Sequence, residues 1–211
     1  MTNFIPIFPL SLVVYPQEEL NLHVFEPRYI QLIKECYETK IFFGIPTVME
    51  NSVKDLGTLM EIIEMSKVYD NGEMDIKTRG IDVFKILEVI RDVPDKLYNG
   101  AIVTYPKNSF AGSRKLMQKV IESIAELHKL LNIEKKFKKP LPDLQSYDVA
   151  HHAGLTLEEE YELLGLMDEL QREEYLKRHL SRVIPVVAEM ETLKEKAQMN
   201  GHFRNLKGFK L

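Results

Sequence analysis

The 211-residue chain has one cysteine, Cys36. A single thiol excludes an internal disulfide framework and suits a reducing compartment, so the cytoplasm is the expected location. No window holds the run of roughly 18 apolar residues that a membrane span needs. The opening MTNFIPIFPLSLVVYPQ lacks a basic n-region and has three prolines in its first sixteen residues, which argues against a signal peptide. Signatures of chemistry are missing as well. There is no G-x-x-x-x-G-K-[ST] phosphate loop, no G-x-S-x-G elbow and no H-E-x-x-H helix. A net charge of −4 gives no global attraction to nucleic acid or anionic lipid.

What is present divides into two styles. With 45% hydrophobic residues the chain reads as globular. Seven of its ten prolines lie at or before Pro106, and up to there short apolar runs alternate with turn signals. PIFPL and LVVYP open the chain. Leu20, Leu22 and Val24 alternate with polar partners, the period of a half-buried strand. IFFGI (41–45) reads as a buried strand. GTLMEIIEMSKVYDNGEMDIKTRG (57–80) reads as a hairpin about a type I′ turn at Asn71-Gly72, with Met74, Ile76 and Thr78 on one face. VFKILEVI (83–90) and GAIVTY (100–105) supply two further strands. One helix interrupts this series, starting at Pro27, with Ile30, Ile33, Cys36 and Tyr37 at helical spacing.

Beyond Pro106 the period becomes helical. Leu116, Val120, Ile124, Leu127 and Leu131 form one stripe, capped by Ser113. A basic connector, EKKFKKPLPD (134–143), follows. A short helix ends at Gly154, and Thr156 then caps another whose first turn holds Glu158, Glu159 and Glu160. A long helix covers roughly 168–198, with Tyr175, Leu176, Leu180, Val183, Val187, Met190 and Leu193 on its apolar side and a kink at Pro185. The tail 200–211 lacks periodicity and reads as irregular. Residues 1–106 carry 10 Lys/Arg against 16 Asp/Glu, net −6, and residues 107–211 carry 18 against 16, net +2. The expected fold class is α+β: a β-rich subdomain over 1–106 and a helical one over 107–211.

Candidate sites follow from the residues. Glu26 and Arg28 flank Pro27 at the strand-to-helix corner. Structurally, Glu26 caps the helix and Arg28 pairs across a strand end; functionally, the pair anchors a peptide terminus or backbone. Cys36 falls on the apolar helix face and reads as a small buried hydrophobe. Of His23, His128, His151, His152, His179 and His202, none forms an H-x₃-H pair, so no metal is expected. Lys135, Lys136, Lys138 and Lys139 surround Phe137 and read as a solvated, mobile linker, with RNA phosphate or an acidic partner as the alternative. Phe8, Phe25, Phe42, Phe43, Met49, Met60 and Met65 are more apolar surface than a small barrel needs. Most are expected in the core, and a few are free to line a groove for extended peptides or to flank a sheet edge that accepts one.

The ordered series FIPIFPLSLVVYPQEELNLHVFEPRYIQLIKEC, FFGIP, LGTLMEI and DNGEMDIKTRGIDVFKI resembles the N-terminal substrate-recognition domain of Lon proteases, particularly the standalone bacterial proteins of that family. The likeness spans about the first 106 residues. It implies a PUA-like pseudo-barrel of about six strands and one helix, followed by a helical bundle. It also implies a role in binding unfolded or tagged protein segments. The reading adopted is a non-catalytic protein that takes exposed apolar or extended polypeptide segments, without a cofactor, in a groove between the two parts, with Phe25, Glu26, Arg28 and Tyr29 as the expected peptide-binding residues. The family's ATPase and protease modules have no counterpart motif in this sequence. A protease or ATPase partner, delivery of clients in proteolysis, an RNA-binding PUA-like module, a hydrolase with an unrecognised site and a stable structural partner complete the readings.

Overall fold

The computed structural model describes residues 2–206, with side chains through residue 197. The chain forms two compact units. Unit 1 takes the residues through Ala111 together with Leu155–Glu169, and unit 2 takes Gly112–Gly154 and the chain from Leu170 onward. The helical stretch 155–169 thus belongs with the β-rich part, not with the helices that precede and follow it. Charge sorts more sharply by unit than by sequence half. Unit 1 has 11 Lys/Arg against 22 Asp/Glu, net −11; unit 2 has 17 against 10, net +7.

Unit 1 is a six-stranded antiparallel sheet with helices. Its strands are β1 (Thr2–Pro6), β2 (Glu19–Val24), β3 (Phe43–Met49), β4 (Ser52–Val68), β5 (Met74–Ile90) and β6 (Gly100–Thr104). They run in the order β1-β6-β5-β4-β3, with β2 paired to β5 off that path. VFKILEVI is therefore no separate strand; it is the second half of β5. That strand serves two sets of neighbours, with Met74–Arg79 between β2 and β4 and Lys85–Ile90 along β6. The connection at 70–72 also differs from a type I′ turn. It has three residues, with the Gly72 N–H bonded to the Tyr69 carbonyl and the Tyr69 N–H to the Glu73 carbonyl. Only Gly72 has positive φ, +88°, as in the common three-residue hairpin loop.

One end of the sheet closes on itself. The chain leaving β1 forms parallel bridges from Ile7 to Gly44 and from Leu10 to Thr47, which join it to β3. The N–H groups of Phe8 and Leu10 donate to the carbonyls of Gly44 and Pro46, and the Val48 N–H donates to Leu10. Phe84, fully buried, lies inside this end with Ile5, Ile7, Leu59, Ala101 and Val103. Gly57 makes the closure possible. A Cβ there would lie 2.6 Å from the Phe84 ring and 2.4 Å from the Ile45 carbonyl oxygen.

Helix α1 (Pro27–Thr39) covers the other end. Its buried Tyr29, Leu32, Ile33 and Cys36 meet Phe8, Phe43, Ile45, Met60, Met74 and Ile76. Of the apolar residues singled out in the sequence, Phe8, Phe43 and Met60 are core, while Phe25 and Phe42 remain exposed. Burial, with the neighbouring Glu35 charge, pushes the Cys36 thiol up to about 12, so this cysteine is a packing group. The polar face of α1 clasps the loop before β6. The Gln31 side chain donates to the Asp95 carbonyl and accepts from the Leu97 N–H, and Glu35 pairs with Lys96 at 2.8 Å. Helix α4 (Leu157–Leu164), begun by a Thr156–Glu159 capping box, completes the unit. Its Tyr161 hydroxyl donates to Asp55 at 2.7 Å and accepts from the Leu56 N–H at 3.1 Å.

Unit 2 holds α2 (Arg114–Leu130), α3 (Ser146–Val149) and nearly all of α5 (Glu169–Leu206). Ser113 caps α2, accepting from the Leu116 N–H at 3.4 Å, and Leu116, Val120, Ile124 and Leu127 are buried. Leu131, expected on that stripe, is 41% exposed. Leu176 and Leu180 are buried on α5, whereas Met190 and Leu193 face solvent. The helix runs through Pro185 and on to Leu206, into the tail expected to be irregular; residues 207–211 lie outside the described residues. A polar core fastens the unit. Fully buried Arg172 donates to the Ser146 hydroxyl at 2.9 Å and stacks over the Tyr147 ring, and Glu173 accepts from the Ser113 N–H.

Candidate functional site

Strand β2 reaches its end at Val24, and α1 begins three residues later at Pro27. Proline has no N–H to leave unpaired in the first helical turn, so the break is sharp. The carbonyl of Glu26 accepts the N–H groups of Tyr29 and Ile30. Its carboxylate does not cap the helix; it turns instead to Arg28, taking Nε at 2.9 Å and a terminal guanidinium nitrogen at 2.7 Å on the same oxygen. Arg28 therefore pairs with its near neighbour, and not across a strand end. The guanidinium also lies 4.4 Å from the centre of the Tyr29 ring. With both side chains over 40% exposed, this ion pair contributes only ~0–1 kcal/mol.

The four residues singled out from the sequence separate here. Tyr29 is 6% exposed and stacks on Phe8 at 3.9 Å, so it holds the corner from beneath. Glu26 and Arg28 form a local charged pair at the surface. Phe25 is 60% exposed, one residue beyond a strand and two before a helix.

Phe25 has company that the sequence did not disclose. The His23 ring stacks near it, centroids 6.1 Å apart, and meets Tyr69 edge-on at 5.9 Å. His23 Nδ1 lies 2.7 Å from Asp75 and Nε2 lies 3.3 Å from Glu73. The Tyr69 hydroxyl donates to the other Asp75 oxygen at 2.8 Å, and Lys67 sits over the Tyr69 ring. The hydrogen bond to Asp75 holds the His23 pKa above its ordinary value, and the same bond, with the one from Tyr69, holds Asp75 below its own. The register is what assembles the group, since His23 faces Asp75 and Asp75 faces Lys67. Pairing β2 against the expected hairpin would have been the signal.

Other candidates resolve differently. In the 134–143 connector Lys135, Lys136 and Lys138 are exposed, while Phe137 packs 4.9 Å from His152 and Lys139 pairs with Asp148 at 2.7 Å. Burial, then the nearby cations, pushes the His152 pKa down. Among the described residues, no group of three or more His, Cys, Asp or Glu side chains is placed to hold a metal. Among the same residues, no helix is long and apolar enough to cross a membrane.

The closed antiparallel sheet capped by α1 is the fold of Lon N-terminal domains. The crystal structure of a Lon N-terminal domain protein from Xanthomonas campestris superposes with a TM-score of 0.63 at 22% identity, over 82% of this chain and 96% of that one. The N-terminal domain of Mycobacterium avium complex Lon protease gives 0.61 at 15% identity, over 85% and 98%. At such identities the likeness speaks to the fold. Family membership rests on the sequence: the chain belongs to the ATP-dependent protease La (LON) substrate-binding domain family, whose model matches residues 5–182.

Proposed function

We propose that unit 1 captures exposed apolar stretches of unfolded polypeptide at the β2–α1 corner, and that it carries out no reaction of its own. The observation that carries this reading is Phe25: a large apolar ring, 60% exposed, held on a corner that buried Tyr29 and the clasped helix α1 keep rigid. A ring presented on a fixed backbone loses little freedom on binding, so more of its burial, roughly 25 cal/mol per Å², appears as affinity. His23 and Tyr69 extend the aromatic surface, and Arg28 offers donors beyond its bond to Glu26. Family membership supports a polypeptide as the ligand. The same reading makes the protein an adaptor that hands the captured segment to a protease. It requires only unit 1.

The test is binding of a reduced, carboxymethylated unfolded protein to the wild-type chain and to Phe25→Ser, with thermal melting alongside. Affinity falls about fivefold or more, in line with the loss of one well-placed aromatic contact, while the melting temperature stays put. Equal affinity in the two proteins overturns the reading. Acceleration of client degradation when the chain is added to an ATP-dependent protease tests the adaptor step.

A further inference from the structure

Strand β2 has one neighbour. Among the described residues it pairs with β5 alone, and its far side meets no other strand. The ladder fixes which groups that side presents. The Gly80 N–H bonds the Glu18 carbonyl, and the Thr78 hydroxyl donates to the Leu20 carbonyl, so Leu20, Leu22 and Val24 turn their backbone groups toward β5. By alternation, Glu19, Asn21 and His23 turn theirs outward. All three are exposed.

Edges of this kind are hazards that proteins block with lysines, prolines or bulges. β4 shows the blocking. Its stretch beyond Met60 also lacks a partner on the β3 side, but the register breaks between Ile62 and Glu64 and again between Met65 and Lys67. Two bulges and Lys67 make that edge a poor template. β2 has none of these devices. Its register to β5 is continuous from Glu19↔Arg79 to Val24↔Met74, and ELNLHV holds no lysine or proline.

We propose that the outer edge of β2 is a strand-addition site. The occupant is an extended polypeptide segment in which apolar residues alternate with basic ones. This rests on the polypeptide-binding reading above and specifies how the segment is held. Its backbone pairs with Glu19, Asn21 and His23. Its apolar side chains lie along half-buried Leu20 and Leu22. Its basic side chains run along the other face. There Glu19, 62% exposed, is held by Arg79 only at 3.7 Å, and Glu73 and Asp75 flank His23. The −11 charge of unit 1 favours a cationic guest over an acidic one.

The experiment is fluorescence anisotropy at low salt with three short labelled peptides: alternating Val and Lys, the same peptide N-methylated at alternate residues, and alternating Val and Glu. The protein is the full chain, wild type and Asn21→Pro. The Asn21 N–H points away from β5, so proline there removes an outward donor and leaves the β2–β5 ladder whole. The Val/Lys peptide binds. N-methylation, replacement of Lys by Glu, and Asn21→Pro each weaken it by about tenfold or more. If Asn21→Pro fails to fold, the N-methylated peptide against the wild type decides. Binding that ignores N-methylation overturns strand addition, while a loss with Phe25→Ser in the same assay keeps the polypeptide-binding reading standing. Preference for the Val/Glu peptide overturns the assigned occupant. So does sedimentation showing that the free chain pairs with a second copy through this edge. Failure of every peptide to bind, with unfolded protein bound normally at Phe25, overturns the edge alone; failure of both overturns the function.

Discussion

The two ends of the sheet in unit 1 solve opposite problems with the same strand. Where β5 runs beside β6, the sheet is closed. The chain after β1 bridges β3, Phe84 fills the interior, and Gly57 gives up its side chain so that the ring fits. Where β5 runs between β2 and β4, the sheet stays open, with one face on α1 and the other in water. Cross-strand charges tile that outer face: His23 against Asp75, Lys77 against Glu64, Arg79 against Glu19. The closed end holds its shape by packing, which tolerates little change. The open end packs one face just as tightly on α1, while its outer face carries only exposed, weakly paired charges, which leaves its backbone edge and Phe25 available. Stability thus comes from packing at both ends, and the unpaired edge is left at the open one.

The sharpest way to break this contrast is to truncate one aromatic at each end. Phe84→Ala removes a fully buried ring from the closed end and should cost about 3–5 kcal/mol by urea denaturation, enough to leave the chain largely unfolded if its stability is ordinary. Phe25→Ala at the open end should stay within about 0.5 kcal/mol of wild type. Similar losses at both positions would erase the distinction.

A smaller effect tests whether α4 belongs to the closed architecture. Tyr161→Phe deletes the oxygen that receives the Leu56 N–H and that donates to Asp55. The loss is expected at about 1–2 kcal/mol in the same denaturation assay. The Asp55 pKa, held low chiefly by that hydroxyl, rises toward its ordinary value. No change in either quantity would detach α4 from the sheet's stability.

The smallest effect is a titration. A raised His23 pKa means that its stabilising tie is complete below the ordinary value of 6.5 and fades as pH climbs through the raised one. The lowered Asp75 pKa means that its share is complete above 3.8 and fades as pH drops through the lowered one. The β2–β5 tie is therefore strongest in mildly acidic solution. NMR titration places His23 above 6.5 in the wild type, and Asp75→Asn brings it back down. A His23 pKa indifferent to Asp75→Asn would show that the cross-strand tie is not formed.

Much of the architecture was legible because local rules and packing agree. Pro27 and the apolar spacing after it marked α1, Ser113 and Thr156 marked their helices, and alternation marked β2 and the hairpin. Errors arose where distant partners decide. Val83 to Ile90 look like a fresh strand because nothing in the sequence says that β5 changes neighbours midway. Glu26 looks like a cap because the Arg28 that claims its carboxylate lies two residues away, where helical spacing does not search. Tyr29 looked like a binding residue and is core, because its helix turns it under Phe8. The His23–Asp75–Tyr69 group was invisible because it exists only once the register is known. Helical period also cannot tell which layer a helix joins, which is why 155–169 read as part of the later bundle.

That last feature, a β-rich unit completed by a segment from beyond an intervening one, bears on how the chain is made. At roughly 5–20 residues per second, the ribosome delivers Tyr161 and its neighbours several seconds after the last strand has emerged. Until then, the Leu56 amide and the Tyr15 hydroxyl lack the acceptors that α4 later brings. The nascent sheet must wait, unfinished, for its own tail end, and a gene cut after Ala111 would leave it waiting permanently.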